Sequence, residues 1–327
     1  MDHTAIARIM ARQEGVIARR QVLACGGDDN DIERMVRRRL WARVHTGVYV
    51  RHTGPLPWVQ RAWTAVLYHW PAALAAESAL AALEAGVTER GTTPRDHRTI
   101  VLVVPATRRV VDPPGMRTRS VRDFDAIALM HLSPPRVRVE HAVLDVASGQ
   151  STAAAAVAVL GDACQQGRTT PQRLLVALEA RPRLPRRRLI SSLLGDVVSG
   201  ARSALERGYL VGVERTHGLP TGKRQRRVRS GRSVAYRDVE YVGLRTVVEL
   251  DGRLGHERSE DRWADMDRDV DSLLVGDVTI RLGWGHVLDP CRTAAAVARL
   301  LVARGWTGTP RPCGPECPVG RVVRRSA

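Results

Sequence analysis

Apolar residues in the first fifty positions recur at the spacing of one helical face, and small breaks divide them into three segments. Ala5, Ile6, Ile9 and Met10 form the first, which Gly15 ends. Val16-Ile17 lead into a second through Arg19, Val22, Leu23 and Cys25, stopped by Gly26-Gly27. Asp28 or Asp29 caps a third, whose buried stripe is Ile32, Met35, Val36 and Leu40. From Trp41 to Val50 the pattern changes to the alternation of a hairpin arm. Three short helices and a β-wing predict a winged helix-turn-helix over residues 1–54.

Residues 55–198 read as a mixed α/β scaffold. Trp58 to Trp70 and Ala72 to Ala85 predict alanine-rich helices, and Glu77 and Ser78 fall on an exposed face of the second. Thr99 to Val104 is a near-continuous β run bounded by Pro105, with Met116 to Val121 as a candidate partner. Ala142 to Ala147 and Ser151 to Gln165 return to helix, and Thr170-Pro171 suits a helix start with proline first. Arg181 to Arg188 reads as a linker or basic corner.

Over 199–306 the predicted order is helix, strands, helix, strand, helix. Ser203 and Glu206 have capping-box spacing, opening a helix that runs to His217. Val234 to Val242 and Arg245 to Leu250 are strands joined by a tight turn at Gly243. Asp261 to Leu274 is a charged helix, Val278 to Leu282 a strand and Thr293 to Arg304 a closing helix. This layout carries Asp238 on one strand and Glu249 and Asp251 on the next, the last two sharing a face. Three crowded carboxylates cost free energy unless a cation neutralises them. Oxygen ligands suit a hard divalent ion, Mg²⁺ or Mn²⁺, and point to phosphodiester hydrolysis. The plainer alternative is a charged strand edge. The fold class that follows is α/β (α+β overall).

Charge changes the picture next. The 327 residues carry a formal net charge of +17, and Lys223 is the only lysine, so the excess is arginine. Arginine's planar fork suits phosphate, which puts nucleic acid ahead of membrane as a partner. On the third helix Arg34, Arg37 and Arg38 would read or clamp DNA in the major groove, and Arg43 and His45 on the wing would touch phosphate. The alternative is an ordinary solvated arginine face. Phe124 is the only phenylalanine, so stacking platforms for single strands are not expected. No stretch is apolar for long enough to span a bilayer, and the first residues lack a secretory pattern. Five scattered cysteines fit a reducing cytoplasm. Cys313-Gly-Pro-Glu-Cys317 has the spacing of half a zinc site, without a second pair close in sequence, and reads as two thiols in a loose tail. Residues 307–327 are predicted to be disordered.

Two resemblances follow from these residues. Gly15 to Ala24 and Arg37 to Tyr49 resemble the antitoxin domain of the AbiEi family, which implies transcriptional autoregulation and a possible toxin or other protein partner. Ser203 to Trp306 resembles the restriction-endonuclease-like PD-(D/E)XK fold, closest to proteins similar to very-short-patch repair endonucleases. Its matches are Glu206, Asp238, Glu249-Leu250-Asp251-Gly252, His256, Asp265 to Asp269 and Ile280 to Trp284. The resemblance implies a metal held by Asp238, Glu249 and the Leu250 carbonyl, with Arg268 and Arg281 either clamping phosphate or pairing with nearby acids. One departure stands out: Asp251 occupies the position of the usual lysine. Either Asp251 helps bind a second ion, or His256 takes over proton transfer, or the scaffold only binds. The leading expectation is a Mg²⁺-dependent DNA endonuclease. Its alternatives are a non-catalytic DNA-binding regulator of antitoxin type and a protein-only scaffold.

Overall fold

The first and third helices begin where an aspartate satisfies free N–H groups. Asp2 accepts from the Ala5 N–H at 2.9 Å and starts α1 (His3–Arg12). Asp28 accepts from Asp31 N at 2.7 Å, and Asp31 accepts in return from Asp28 N at 3.3 Å, a capping box that starts α3 (Asp29–Arg37). Between them lies α2 (Arg19–Ala24). The computed structural model describes residues 1–85, 99–199, 203–230, 233–252 and 276–326. The fold is mixed α+β, with three sheets among the described residues and two compact units, Met1–Val146 and Ala147–Ala327.

In the first unit, Val16-Ile17 belong to a strand rather than to a helix entry. Strands β1 (Val16–Ala18), β2 (Ala42–His45) and β3 (Val48–Val50) form an antiparallel sheet in the order β1-β3-β2. Gly15, at φ +83°, makes the turn from α1 into β1. Both faces of β1 are buried, and the alternation along it shows this. Ile17 packs with Ile6, Met10, Val22, Ile32, Trp41 and Tyr49, whereas Val16 and Ala18 pack with Val48, Val50, Trp63 and Leu67. β-branched residues covered on both sides favour a strand. The wing is therefore fused to the helix Trp58–Tyr68. Leu40, predicted as part of the buried stripe of α3, is half-exposed at 50%. The helix has already ended at Arg37, and Arg39 turns the chain through φ +56°.

A five-stranded sheet follows in the order β6-β5-β4-β8-β7, from β4 (Ala73–Leu74), β5 (Ile100–Pro105), β6 (Met116–Val121), β7 (Ala128–Leu129) and β8 (Arg136–Val137). The predicted pairing of β5 with β6 is present and parallel. Ala73-Leu74 is a strand, so the second alanine-rich helix starts only at Ala76. Ser78, expected on an exposed face, is fully buried, and its Oγ accepts from the Val101 N–H at 2.9 Å. That bond ties the helix to β5 and gives Ser78 a structural account.

In the second unit Thr152 and Thr170 cap the helices Ala153–Gln165 and Pro171–Glu179, the latter with proline first as predicted. A further helix, Arg187–Ser199, precedes Ser203–Gly208, which continues as a π-helix, Tyr209–Arg215. The sheet runs β12-β11-β10-β9, from β9 (Lys223–Ser230), β10 (Ser233–Tyr241), β11 (Thr246–Asp251) and β12 (Val278–Gly283). Strands β9, β10 and β11 are antiparallel neighbours, and β12 is parallel to β11. The predicted helix from Asp261 to Leu274 lies outside the described residues. The helix Pro290–Ala303 follows β12. Where residues 307–327 are predicted to be disordered, the chain instead forms a helix, Val319–Ser326, with Val319 and Val322 buried. Its apolar residues recur three apart on one face, and that face is what the composition of the segment concealed.

Leu102, fully buried at the centre of β5, anchors the core of the first unit. Leu102→Ala should destabilise that unit by about 2–5 kcal/mol, measured as a lower urea midpoint; a loss under about 1 kcal/mol would show that the sheet does not organise this core.

Candidate functional site

Asp238 and Glu249 lie on adjacent strands of the second unit, β10 and β11. Pairing of Val239 with Val248 sets Asp238, one step further, across from Glu249. Asp238 is buried, at 5% exposure. Its Oδ2 accepts from the Leu250 N–H at 2.8 Å, so the carboxylate takes the place of a ladder carbonyl on that strand. Its Oδ1 accepts from Gln225 Nε2 at 3.1 Å. Gln225 lies across from Asp238, between the pairs Arg237–Arg226 and Arg224–Val239, in a left-handed conformation at φ +48°. The same amide donates to Glu206 Oε1 at 2.8 Å. Glu206, Gln225, Asp238 and the β11 backbone are thus one chain of hydrogen bonds.

On β11, Glu249 is half-buried and stands in register with Arg281 of β12, while Asp251 stands in register with Gly283. Paired residues of neighbouring strands share a face, so Arg281 is the cation that the topology sets beside Glu249. Arg226 and Arg237 of this sheet are engaged with other acids. Both pair with buried Glu240, at 2.7 and 2.8 Å, and Arg237 also reaches Asp277 at 2.8 Å. The two donors to Asp238 are neutral. The predicted His256 and Arg268 lie outside the described residues.

A second polar group was not predicted from sequence. The Tyr241 O–H donates to Glu214 Oε2 at 3.2 Å, which leaves Tyr209 to donate to Tyr241 at 2.8 Å. Gly222 N donates to the same carboxylate oxygen at 3.4 Å, and Arg224 pairs with it at 2.9 Å. Gly222 is required here, because a Cβ would strike the Val239 side chain. Burial pushes the phenols of Tyr209 and Tyr241 well above their ordinary range. The π-helix turns Tyr209, Val213 and Glu214 all inward, where ordinary helical spacing would spread them.

The predicted DNA-facing set is only partly available. Arg37, Arg38 and Arg43 are exposed, whereas Arg34 pairs with Asp31 at 2.8 Å. His45 is half-buried against the ring of Tyr68, with centroids 5.2 Å apart, and burial lowers its pKa. An uncharged, packed imidazole is a poor phosphate contact, so the role predicted for His45 is not supported. Arg19 forms a two-bond fork with Asp29, at 2.6 and 2.7 Å.

Among the described residues, the metal-ligating atoms that converge are not those of the acids. They belong to His217, Cys291, Cys313 and Cys317 and all lie within 4.8 Å of one another. Cys313 and Cys317 were the visible half of this group; His217 and Cys291 come from segments distant in sequence. No protein-family model and no curated protein matches this chain.

Burial pushes the Glu214 carboxyl above its ordinary 4.5, against the pull of Arg224. The fold therefore favours the protonated acid, whose stabilising contribution is complete below 4.5 and is lost as pH rises through the raised value. Glu214→Gln removes this titration. As pH rises above 4.5 and through the raised value, the melting temperature of the wild type should fall relative to the variant, and parallel pH profiles would contradict that assignment.

Proposed function

We propose that the second unit is a metal-dependent phosphodiesterase of the restriction-endonuclease type, acting on DNA in a reducing cytoplasm, with α3 and β2 of the first unit supplying a DNA-docking surface. The observation that carries this reading is the hydrogen-bonded chain from Glu206 through Gln225 to Asp238, with Glu249 across from Asp238 on the adjacent antiparallel strand and a parallel strand beyond.

The donor set suits a hard cation. Asp238 and Glu249 offer carboxylate oxygens, and Asp238 keeps lone pairs beyond its two hydrogen bonds. These two residues, with Asp251 able to join them, would hold Mg²⁺ or Mn²⁺. A bound ion supplies an activated water and stabilises charge on the phosphate. Gln225 positions Asp238 and Glu206 through its two amide hydrogens. Arg281, beside Glu249, is the group to hold a phosphate oxygen. Asp251 leaves the site without a cation at the position where the resemblance expects lysine.

A second reading, a DNA-binding regulator without catalysis, is favoured by the occupation of Asp238. Both of its oxygens already accept from neutral donors, as they would in a purely structural carboxylate. Plasmid nicking separates the two. With Mg²⁺ or Mn²⁺ the wild type should nick supercoiled DNA, and Asp238→Ala or Glu249→Ala should lower the rate roughly 10²–10³-fold. Nicking that survives both substitutions would remove the mechanism, and absence of nicking beside salt-dependent DNA binding would favour the regulator. In that binding assay Arg37→Ala and Arg38→Ala should each reduce the salt slope by about 0.9, the value for one phosphate contact. Unchanged slopes would take α3 off the DNA.

A further inference from the structure

We infer that His217, Cys291, Cys313 and Cys317 form a structural zinc site that fastens the C-terminal segment to the second unit. The inference is independent of the proposed nuclease chemistry.

The imidazole is the decisive member. His217 is fully buried. Its Nδ1 lies 3.1 Å from the Val213 carbonyl oxygen, a bond in which the nitrogen must donate. That fixes the tautomer and leaves Nε2 as an unprotonated lone pair. Nε2 is buried and has no hydrogen-bond partner. An orphaned acceptor of this kind costs free energy in a finished fold, and a histidine whose other nitrogen is held by a backbone carbonyl is the usual arrangement of a metal ligand.

The thiols complete a four-ligand set. Cys291 is the second residue of the helix Pro290–Ala303, so the start of that helix fixes its place. Cys313 and Cys317 flank a turn closed by the Cys317 N–H to the Gly314 carbonyl at 3.1 Å. The sulfurs of Cys291 and Cys313 are 3.4 Å apart. A disulfide needs about 2.05 Å, whereas a tetrahedral ion with Zn–S of about 2.3 Å sets its sulfurs about 3.8 Å apart. Three sulfurs and one nitrogen make the closed Cys₃His set of structural zinc, with no position left for water or substrate. A disulfide would use two thiols and leave the third, and the buried nitrogen, without a role.

Full-length protein, produced in zinc-supplemented medium and purified with reductant and without chelator, should contain about one zinc per chain by elemental analysis. Cys313→Ser/Cys317→Ser should lose it, and Cys25→Ser/Cys164→Ser, which alters the two cysteines outside the cluster, should keep it. Since the first pair could fail to fold, the wild type carries a separate test. Exchange with Co²⁺ should give the charge-transfer and visible bands of a tetrahedral thiolate site. Removal of zinc by chelator should lower the melting temperature. Wild-type protein with free thiols but no zinc, iron or copper at zinc's expected stoichiometry, a Cys291–Cys313 disulfide, or zinc retained in Cys313→Ser/Cys317→Ser would each overturn the assignment.

Discussion

The acceptance of the Leu250 N–H by Asp238 is the interaction on which the acidic end of the second unit depends. In an antiparallel pair that amide would bond to a carbonyl of the neighbouring strand. Here a carboxylate fills the place, so a charged group is drawn to 5% exposure by the need to satisfy a backbone donor. The residue across from it on the other side, Gln225, adopts a left-handed conformation and hands its amide to both Asp238 and Glu206. The same local departure from regular pairing thus links an acid of a helix, Glu206, to an acid of β10, Asp238. Regular β pairing of residues 225 and 238 would leave Glu206 without this link to the sheet.

The large positive charge has a different meaning once partners are assigned. Arg19, Arg34, Arg119, Arg224, Arg226 and Arg237 each lie within 3 Å of a carboxylate of the same unit. Two of those carboxylates, Glu214 and Glu240, are buried, and an unpaired buried charge is far more costly than a paired one. Part of the arginine content therefore serves to make buried acids tolerable, and only the remainder is available to a polyanion. Net charge alone therefore does not measure the basic surface that is open: Arg37, Arg38 and Arg43 are exposed, whereas Arg34 pairs with Asp31 and His45 packs against Tyr68.

Much of the fold was legible because its signals are local. The aspartate cap of α3, the Thr170-Pro171 helix start, the β run ending at Pro105 and the two strands carrying Asp238 and Glu249 all follow from residues within a few positions of one another. What failed to show was non-local. Val16-Ile17 become a strand only because Val48–Val50 and Trp63 are there to cover them, and Ser78 is buried only because Val101 needs an acceptor. The π-helix and the Tyr209–Tyr241–Glu214 group need both a widened helical turn and a close approach at Gly222. Neither feature has a signature in a short window of sequence.

The end of the chain carries this argument furthest. Residues 311–316 are all exposed, so burial of apolar surface cannot hold that stretch in place. Val319 and Val322 anchor the last helix, but they act beyond it. What remains is the Arg311 N–H, which donates to the His217 carbonyl at 2.7 Å, and the meeting of Cys313 and Cys317 with His217 and Cys291. A Pro- and Gly-rich segment with few apolar groups needs a cross-link if it is to keep one path, since ordering each residue costs about 1–2 kcal/mol of backbone entropy. Composition pointed to disorder, which the structure does not bear out; it could not identify the partners, because the imidazole and the third thiol enter from a helix end and a helix start elsewhere in the chain.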